Sequence, residues 1–169
     1  MVSLAYERGW RQGFAWAGFP GVEEEFRYAM EYLRPQYGQM LVDVSCGSGL
    51  FSRRFAKSGE FSSVIASDFS ESMLSQTYDY LQDDMAVDQS KVLLLRADVG
   101  RLPFKTGSVA AIHAGVRALV LCSIVPMLIS NSSWPQHCWR VADDNVSPPH
   151  APPQMTQMQI LCYVALSLS

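Results

Sequence analysis

The chain of 169 residues has no glycine, lysine or glutamate after Gly115. Most of its nine prolines lie beyond that point, where the only charges are Arg117, Arg140, Asp143 and Asp144. One domain does not usually change composition so abruptly. Residues 1–115 are therefore read as one domain, and residues 116–169 as a tail of different character and low expected order. Basic residues are not in excess: 13 Lys and Arg stand against 16 Asp and Glu, for a net charge of −3. This argues against nucleic acid as a partner. Cys46, Cys122, Cys138 and Cys162 fit neither a zinc spacing nor a disulfide framework. Reduced thiols and no metal are expected. The longest apolar run, Ala118 to Ile129, is broken by Ser123 and Pro126 and falls short of the ~20 residues of a membrane span. Met1 to Arg11 has no apolar core of signal-peptide length.

What is present centres on residues 39–51. An apolar run, Met40-Leu41-Val42-Asp43-Val44, leads into Ser45-Cys46-Gly47-Ser48-Gly49 and then into a helix-like segment from Leu50. Glycines at such a turn let the backbone bend and let a ligand approach. Upstream, residues 22–34 are predicted to be a helix. Glu23, Glu24 and Glu25 suit its start, Phe26, Ala29, Met30 and Leu33 share one face, and Pro35 ends it. Downstream, Ser63–Ser67 is predicted to be a second strand ending at Asp68. Ser70 is expected to cap a helix with Met73, Leu74, Thr77, Tyr78 and Leu81 on one face. Val92–Leu95 is a continuous apolar run, as in a strand covered on both sides, and leads to Asp98. Val109–His113 is a fourth strand. Strands alternating with helices in this way predict an α/β fold with a parallel sheet and right-handed crossovers.

Asp43, Asp68 and Asp98 are each placed at a strand end, and ligands of such sheets bind outside the carboxyl ends of the strands. Asp68 follows Gly47 by 21 residues, a spacing that suits a carboxylate accepting two hydrogen bonds from a ribose diol. Dinucleotide enzymes share that feature. Against them, Ser52 stands where their third glycine would be, and Asp98 follows the third strand with Pro103-Phe104 beyond it.

Three stretches in order resemble the class I S-adenosylmethionine-dependent methyltransferases, type 11 group. They are Val42-Asp43-Val44-Ser45-Cys46-Gly47-Ser48-Gly49, Ser67-Asp68-Phe69-Ser70-Glu71-Ser72-Met73-Leu74, and Arg96-Ala97-Asp98-Val99-Gly100-Arg101-Leu102-Pro103-Phe104. Tyr6-Glu7-Arg8-Gly9-Trp10-Arg11-Gln12 and the Cys46-Gly47-Ser48-Gly49 form of the turn look like a plant plastid subgroup. The resemblance covers about residues 4–115. It implies a partial Rossmann-like sheet of order 3-2-1-4 and S-adenosyl-L-methionine as cofactor. Gly47 and Gly49 would cradle the methionine part, with Asp43 ordering the loop or the ligand's amine. Asp68 would hold the ribose, Asp98 the adenine amino group, and Val99 would lie beside the ring. His113 is the sole candidate for a base, and a strand-end histidine packed in a crevice is its other reading.

The resemblance stops after His113-Ala114-Gly115, and the tail is expected to derive from an unspliced or mispredicted gene segment. The fourth strand is then expected at a sheet edge, covered by Ala118–Val125 or Ile160–Leu166 as a helix or an added strand, or else prone to self-association. The implied function is methyl transfer to a small-molecule acceptor, impaired by truncation. The aromatic residues 1–21 are compatible with an apolar acceptor, such as a quinone-like lipid, or with plain packing. The alternative is a non-catalytic product that binds a partner or retains at most cofactor binding. Location in the chloroplast is implied by the resemblance, and otherwise in the cytoplasm.

Overall fold

The computed structural model describes residues 21–105 and 107–114, together with the backbone of 162–165. Helix α1 is Val22–Leu33, strand β1 Met40–Val44, helix α2 Leu50–Ser58 and strand β2 Ser63–Asp68. Helix α3 is Glu71–Asp83, followed by strands β3 (Val92–Arg96), β4 (Ala111–Ala114) and β5 (Cys162–Ala165). The sheet order is β3-β2-β1-β4-β5. The first four strands are parallel and β5 runs antiparallel to β4. The expected 3-2-1-4 order therefore holds. The β4 edge is covered by an added strand from the terminal apolar run. Residues 1–20 of the aromatic stretch, and Ala118–Val125, one of the two segments expected to cover the edge, lie outside the described residues.

Alternation along the strands sorts side chains onto two faces. Leu41, Val64 and Ala111 meet Ala29 and Leu33 of α1 and Phe51 and Phe55 of α2. Val42, Val44, Ile65, Ile112 and Ala114 pack on the other face against Leu102 and Val109, with Leu95, Ala97, Val99 and Phe104 at the margin. Helices thus cover one face, and the β3–β4 connection lies on the other. Phe55 is the centre of the helical layer. It is fully buried, with ring centroids 5.3 Å from Phe26, 6.2 Å from Phe51 and 5.8 Å from Phe61. An exposed bidentate pair, Arg54 with Glu23 at 2.6 and 2.8 Å, joins α2 to α1.

Helix ends follow backbone chemistry. Pro35 sits in the short 3₁₀ turn Arg34–Gln36 that ends α1. Gly59, at φ 72°, closes α2 in the left-handed conformation that a side chain would disfavour. Glu23, Glu24 and Glu25 do fall in the first turn of α1, with Glu25 buried and Glu23 and Glu24 exposed. Two local expectations fail. Ser70 occupies the N-cap of α3, but its hydroxyl pairs with Ser72 Oγ at 2.9 Å instead of capping the helix. Its own N–H is bound by Asp68 Oδ1 at 2.8 Å. Leu93 is 59% exposed, so β3 is not covered on both sides among the described residues. The reason is position: β3 is the outermost strand, and of its apolar run Leu95 reaches the Leu102–Val109 packing while Leu93, two residues earlier on the same face, does not.

Phe55→Ala is expected to lower unfolding free energy by about 3–5 kcal/mol, because the neighbouring rings cannot close over the void. Met85→Ala, at a residue 92% exposed, should stay within about 0.5 kcal/mol of the parent chain. Urea unfolding of both variants measures the difference.

Candidate functional site

The turn after β1 is built from unusual backbone angles. Ser45 has φ 55°, Gly47 58° and Gly49 74°. Glycine reaches this region freely; serine does so at a cost of about 1–2 kcal/mol. Gly49 is required for a second reason. A Cβ there would lie 2.3 Å from Thr77 Cγ2. α2 begins at the next residue and α3 presses against the turn from behind.

Asp68 at the end of β2 fixes the turn from the front. Its Oδ2 accepts the Gly47 N–H at 2.9 Å while its Oδ1 holds Ser70. Each oxygen keeps further acceptor capacity. The Ala97 N–H donates to Asp68 O at 3.1 Å, bringing the end of β3 alongside. Between these strand ends lies an open cleft of about 350 Å³, lined by Val44, Ser45, Ser67, Asp68, Phe69, Ala97, Asp98 and Val99. Phe69 is 68% exposed. Arg96 holds it, donating Nε to Phe69 O at 3.2 Å and pairing with Glu71 at 2.9 Å. Asp98 is exposed, and its Oδ1 accepts the Gly100 N–H at 2.9 Å, which shapes the short turn carrying Val99.

The structure thus brings Asp68, Asp98 and Val99 to one cleft, with Gly47 tied to it through Asp68. Asp43 does not join them. It lies within β1, not at its end, and alternation turns it to the helical face, in register with His113 of β4. Both side chains are almost wholly buried. His113 Nδ1 donates to Asp43 Oδ1 at 2.6 Å, and Ser52 Oγ donates to Asp43 Oδ2. The His113 ring stacks on Phe51 at 4.9 Å and meets Phe55 edge-on at 5.0 Å. His113 is enclosed by α2 and the sheet, on the opposite side of β1 and β4 from Val44. It is not placed to take a proton from anything in the cleft. Of the two roles considered for Asp43, ordering the loop fits its contacts; reaching a ligand does not.

Cys46 lies in the turn with Sγ 3.7 Å from Gly47 O. Burial pushes its thiol far up from the ordinary range, and the nearby Asp43 and Asp68 carboxylates push the same way. It is a neutral thiol at physiological pH, not a nucleophile. Among the described residues no group of three His, Cys, Asp or Glu side chains could hold a metal ion.

Two supporting residues escaped the reading of the sequence. Ser52 was noted only as not being glycine, yet its hydroxyl is what Asp43 binds. Thr77 was placed on the apolar face of α3, but its Oγ1 lies 3.0 Å from Gly47 O. The available signal was a hydroxyl inside an otherwise apolar stripe. Ser52→Ala is expected to lower stability by about 1–3 kcal/mol, since it strips a donor from a buried carboxylate. Ser72→Ala, at an exposed serine pair, should be nearly neutral, and thermal unfolding distinguishes the two.

Comparison with known proteins agrees with this geometry. Residues 41–128 match the family described as "Methyltransferase domain". Two Arabidopsis thaliana proteins, named as the uncharacterized chloroplastic methyltransferases At2g41040 and At1g78140, are 58% and 54% identical over 116 residues. Each match takes in 68% of this chain and 33% of the relative, so the matched region spans a third of those relatives' length. Among solved structures, the YcgJ protein of Bacillus subtilis superposes with a TM-score of 0.54 at 15% identity, over 63% of this chain and 46% of that one. The methyltransferase domain of bacterial CtHen1 gives 0.52 at 16% identity, over 63% and 58%. These two similarities concern the fold. With the family match and the plant relatives, they establish that the chain belongs to the methyltransferase-domain family and has the class I α/β fold.

Proposed function

We propose that the chain binds S-adenosylmethionine in the cleft between β2 and β3 and forms the cofactor side of a methyltransferase. The observation that carries this reading is the joining of Gly47 to Asp68. One hydrogen bond couples a glycine turn to a carboxylate on the cleft wall, so both halves of an elongated ligand meet one rigid unit.

The donor set suits the cofactor. Asp68 keeps acceptor capacity after its two backbone contacts and would hold the ribose hydroxyls. Phe69 and Val99 offer apolar surface to a flat ring, and Asp98 would accept from the adenine amino group. Gly47 and Gly49 would shape the bed for the methionine end, with Asp43 holding that bed from beneath. The cofactor, when bound, supplies a methyl group already activated by a positive sulfur. The residues lining the cleft accordingly need to align and to exclude water more than to move a proton. Among the described residues that line it, Asp68 and Asp98 are the only ionisable ones, and both are assigned to binding. The acceptor is proposed to be a small molecule brought to the open side of the cleft. A chloroplast location is proposed from the two plant relatives.

Isothermal titration of the full chain with S-adenosylmethionine and with S-adenosylhomocysteine tests the cofactor assignment. Saturable binding of both is expected, with a raised thermal midpoint. Asp68→Ala should weaken both by about tenfold or more, as loss of a charge-assisted hydrogen-bond pair predicts. Absence of heat together with an unmoved midpoint in the parent chain would reject the reading. Equal affinity in Asp68→Ala would remove the ribose role alone.

A further inference from the structure

We infer that Thr77 of α3 is a positioning residue for the amino-acid end of the ligand, acting through the Gly47 peptide group. The inference rests on the cofactor reading above and adds a residue that never touches the cleft.

Thr77 is completely buried and lies behind the turn. Its Oγ1 is 3.0 Å from Gly47 O and 2.9 Å from Met73 O. The Met73 carbonyl also receives the Thr77 N–H as part of the α-helix, and the single hydroxyl proton is shared between Met73 O and Gly47 O. Among the described residues, Gly47 O has no such ladder partner. The other side chain directed at it is the Cys46 thiol, a weak donor at 3.7 Å. The Gly47 residue is consequently gripped at both ends: Asp68 Oδ2 takes its N–H and Thr77 supplies a proton to its C=O. At φ 58° this glycine has no side-chain sterics to hold its angles. The two hydrogen bonds therefore set the tilt of the peptide planes on either side. Those planes determine where the turn's N–H groups point.

The methyl group of Thr77 has a separate task. Its Cγ2 fills the space where a Cβ at Gly49 would be, 2.3 Å from the ideal position. Threonine thus combines a donor for one glycine with a stop for the next. Valine would keep the shape and lose the donor. Serine would keep the donor and lose the stop.

The cleft walls at Phe69, Asp98 and Val99 belong to other segments and take no support from Thr77. Asp68, though bonded to Gly47, is also held by the Ser70 N–H, so the effect of Thr77 falls first on the amino-acid end of the ligand. The experiment measures affinity for two probes in the full chain. S-adenosylhomocysteine carries the amino-acid end; 5′-methylthioadenosine has the nucleoside and sulfur without it. Thr77→Val is expected to weaken S-adenosylhomocysteine by about tenfold while 5′-methylthioadenosine stays within about twofold. Thr77→Ser should bind both as the parent does. An equal fall for both probes would mean general softening and would overturn the inference, as would unchanged affinity or a loss in Thr77→Ser as large as in Thr77→Val. If Thr77→Val does not fold, Thr77→Cys, with its weaker donor, is judged by the same ratio. A parent chain that binds neither probe rejects the cofactor reading itself and this inference with it; a parent that binds both leaves Thr77 as the sole point at issue.

Discussion

The buried carboxylate of Asp43 is the constraint on which the arrangement depends. A charge in the middle strand of a sheet is expensive to desolvate, by several kcal/mol even after relaxation, unless it is hydrogen-bonded on both oxygens. Here one oxygen is met by His113 of β4 and the other by Ser52 in the first turn of α2. Both partners are fixed in turn by aromatic packing: His113 lies on Phe51, and Phe51 and Phe55 share the helix that carries Ser52. Satisfying the carboxylate forces α2 to begin at one place relative to β1. Only a short, tight chain can connect them, and Gly47 and Gly49 make that connection with positive φ angles. The same contact draws β4 into register beside β1. Removing Asp43 would affect the turn, the helix and the neighbouring strand together.

This also explains which parts of the site could be read from the sequence. Strand and helix order were legible, because apolar runs of strand length alternated with amphipathic stretches and the breaks fell at Pro35, Gly59 and the glycine turn. Asp68, Asp98 and Val99 were legible as well, since a position just beyond a strand's carboxyl end depends only on where the strand stops. Asp43 was misplaced into the same group. Asp43 stands one residue before the end of β1, still within its alternation, which turns the side chain to the helical face instead of toward the strand ends. His113 was tied to the site by proximity along β4, but its burial depends on Phe51 and Phe55, which no local pattern links to it. The exposure of Leu93 follows from the strand order, which an apolar run by itself cannot express.

Two hydroxyl residues, Ser52 and Thr77, show a different gap. Both are common surface residues whose roles arise only from what lies opposite them in the fold. Each supplies a single proton to an oxygen that the chain must bury. In Ser52 that oxygen belongs to a charged side chain, and in Thr77 to the backbone of the turn. They support the turn from two helices, α2 and α3, which approach the sheet from the same side as right-handed crossovers require. The cleft lies where these helices leave the strand ends uncovered.

The arrangement has a consequence for how the activity is divided along the chain. Every described residue lining the cleft falls between Val44 and Val99, and the supports Asp43, Ser52 and Thr77 lie within or beside that interval. From further along, His113 meets Asp43, and Leu102, Val109, Ile112 and Ala114 pack in the same cluster as Val44, Ala97 and Val99. Local assembly of this kind needs few distant contacts, so the geometry of the turn and of the Asp68 wall is specified by neighbouring elements. The acceptor side is different in kind. On the proposed function, an acceptor would have to be held in line with the transferring group from the open side of the cleft. Binding and transfer would then draw on different stretches of sequence. The region matched to the plant relatives is a third of their length, and on the proposed function transfer would depend on what borders the open side of the cleft.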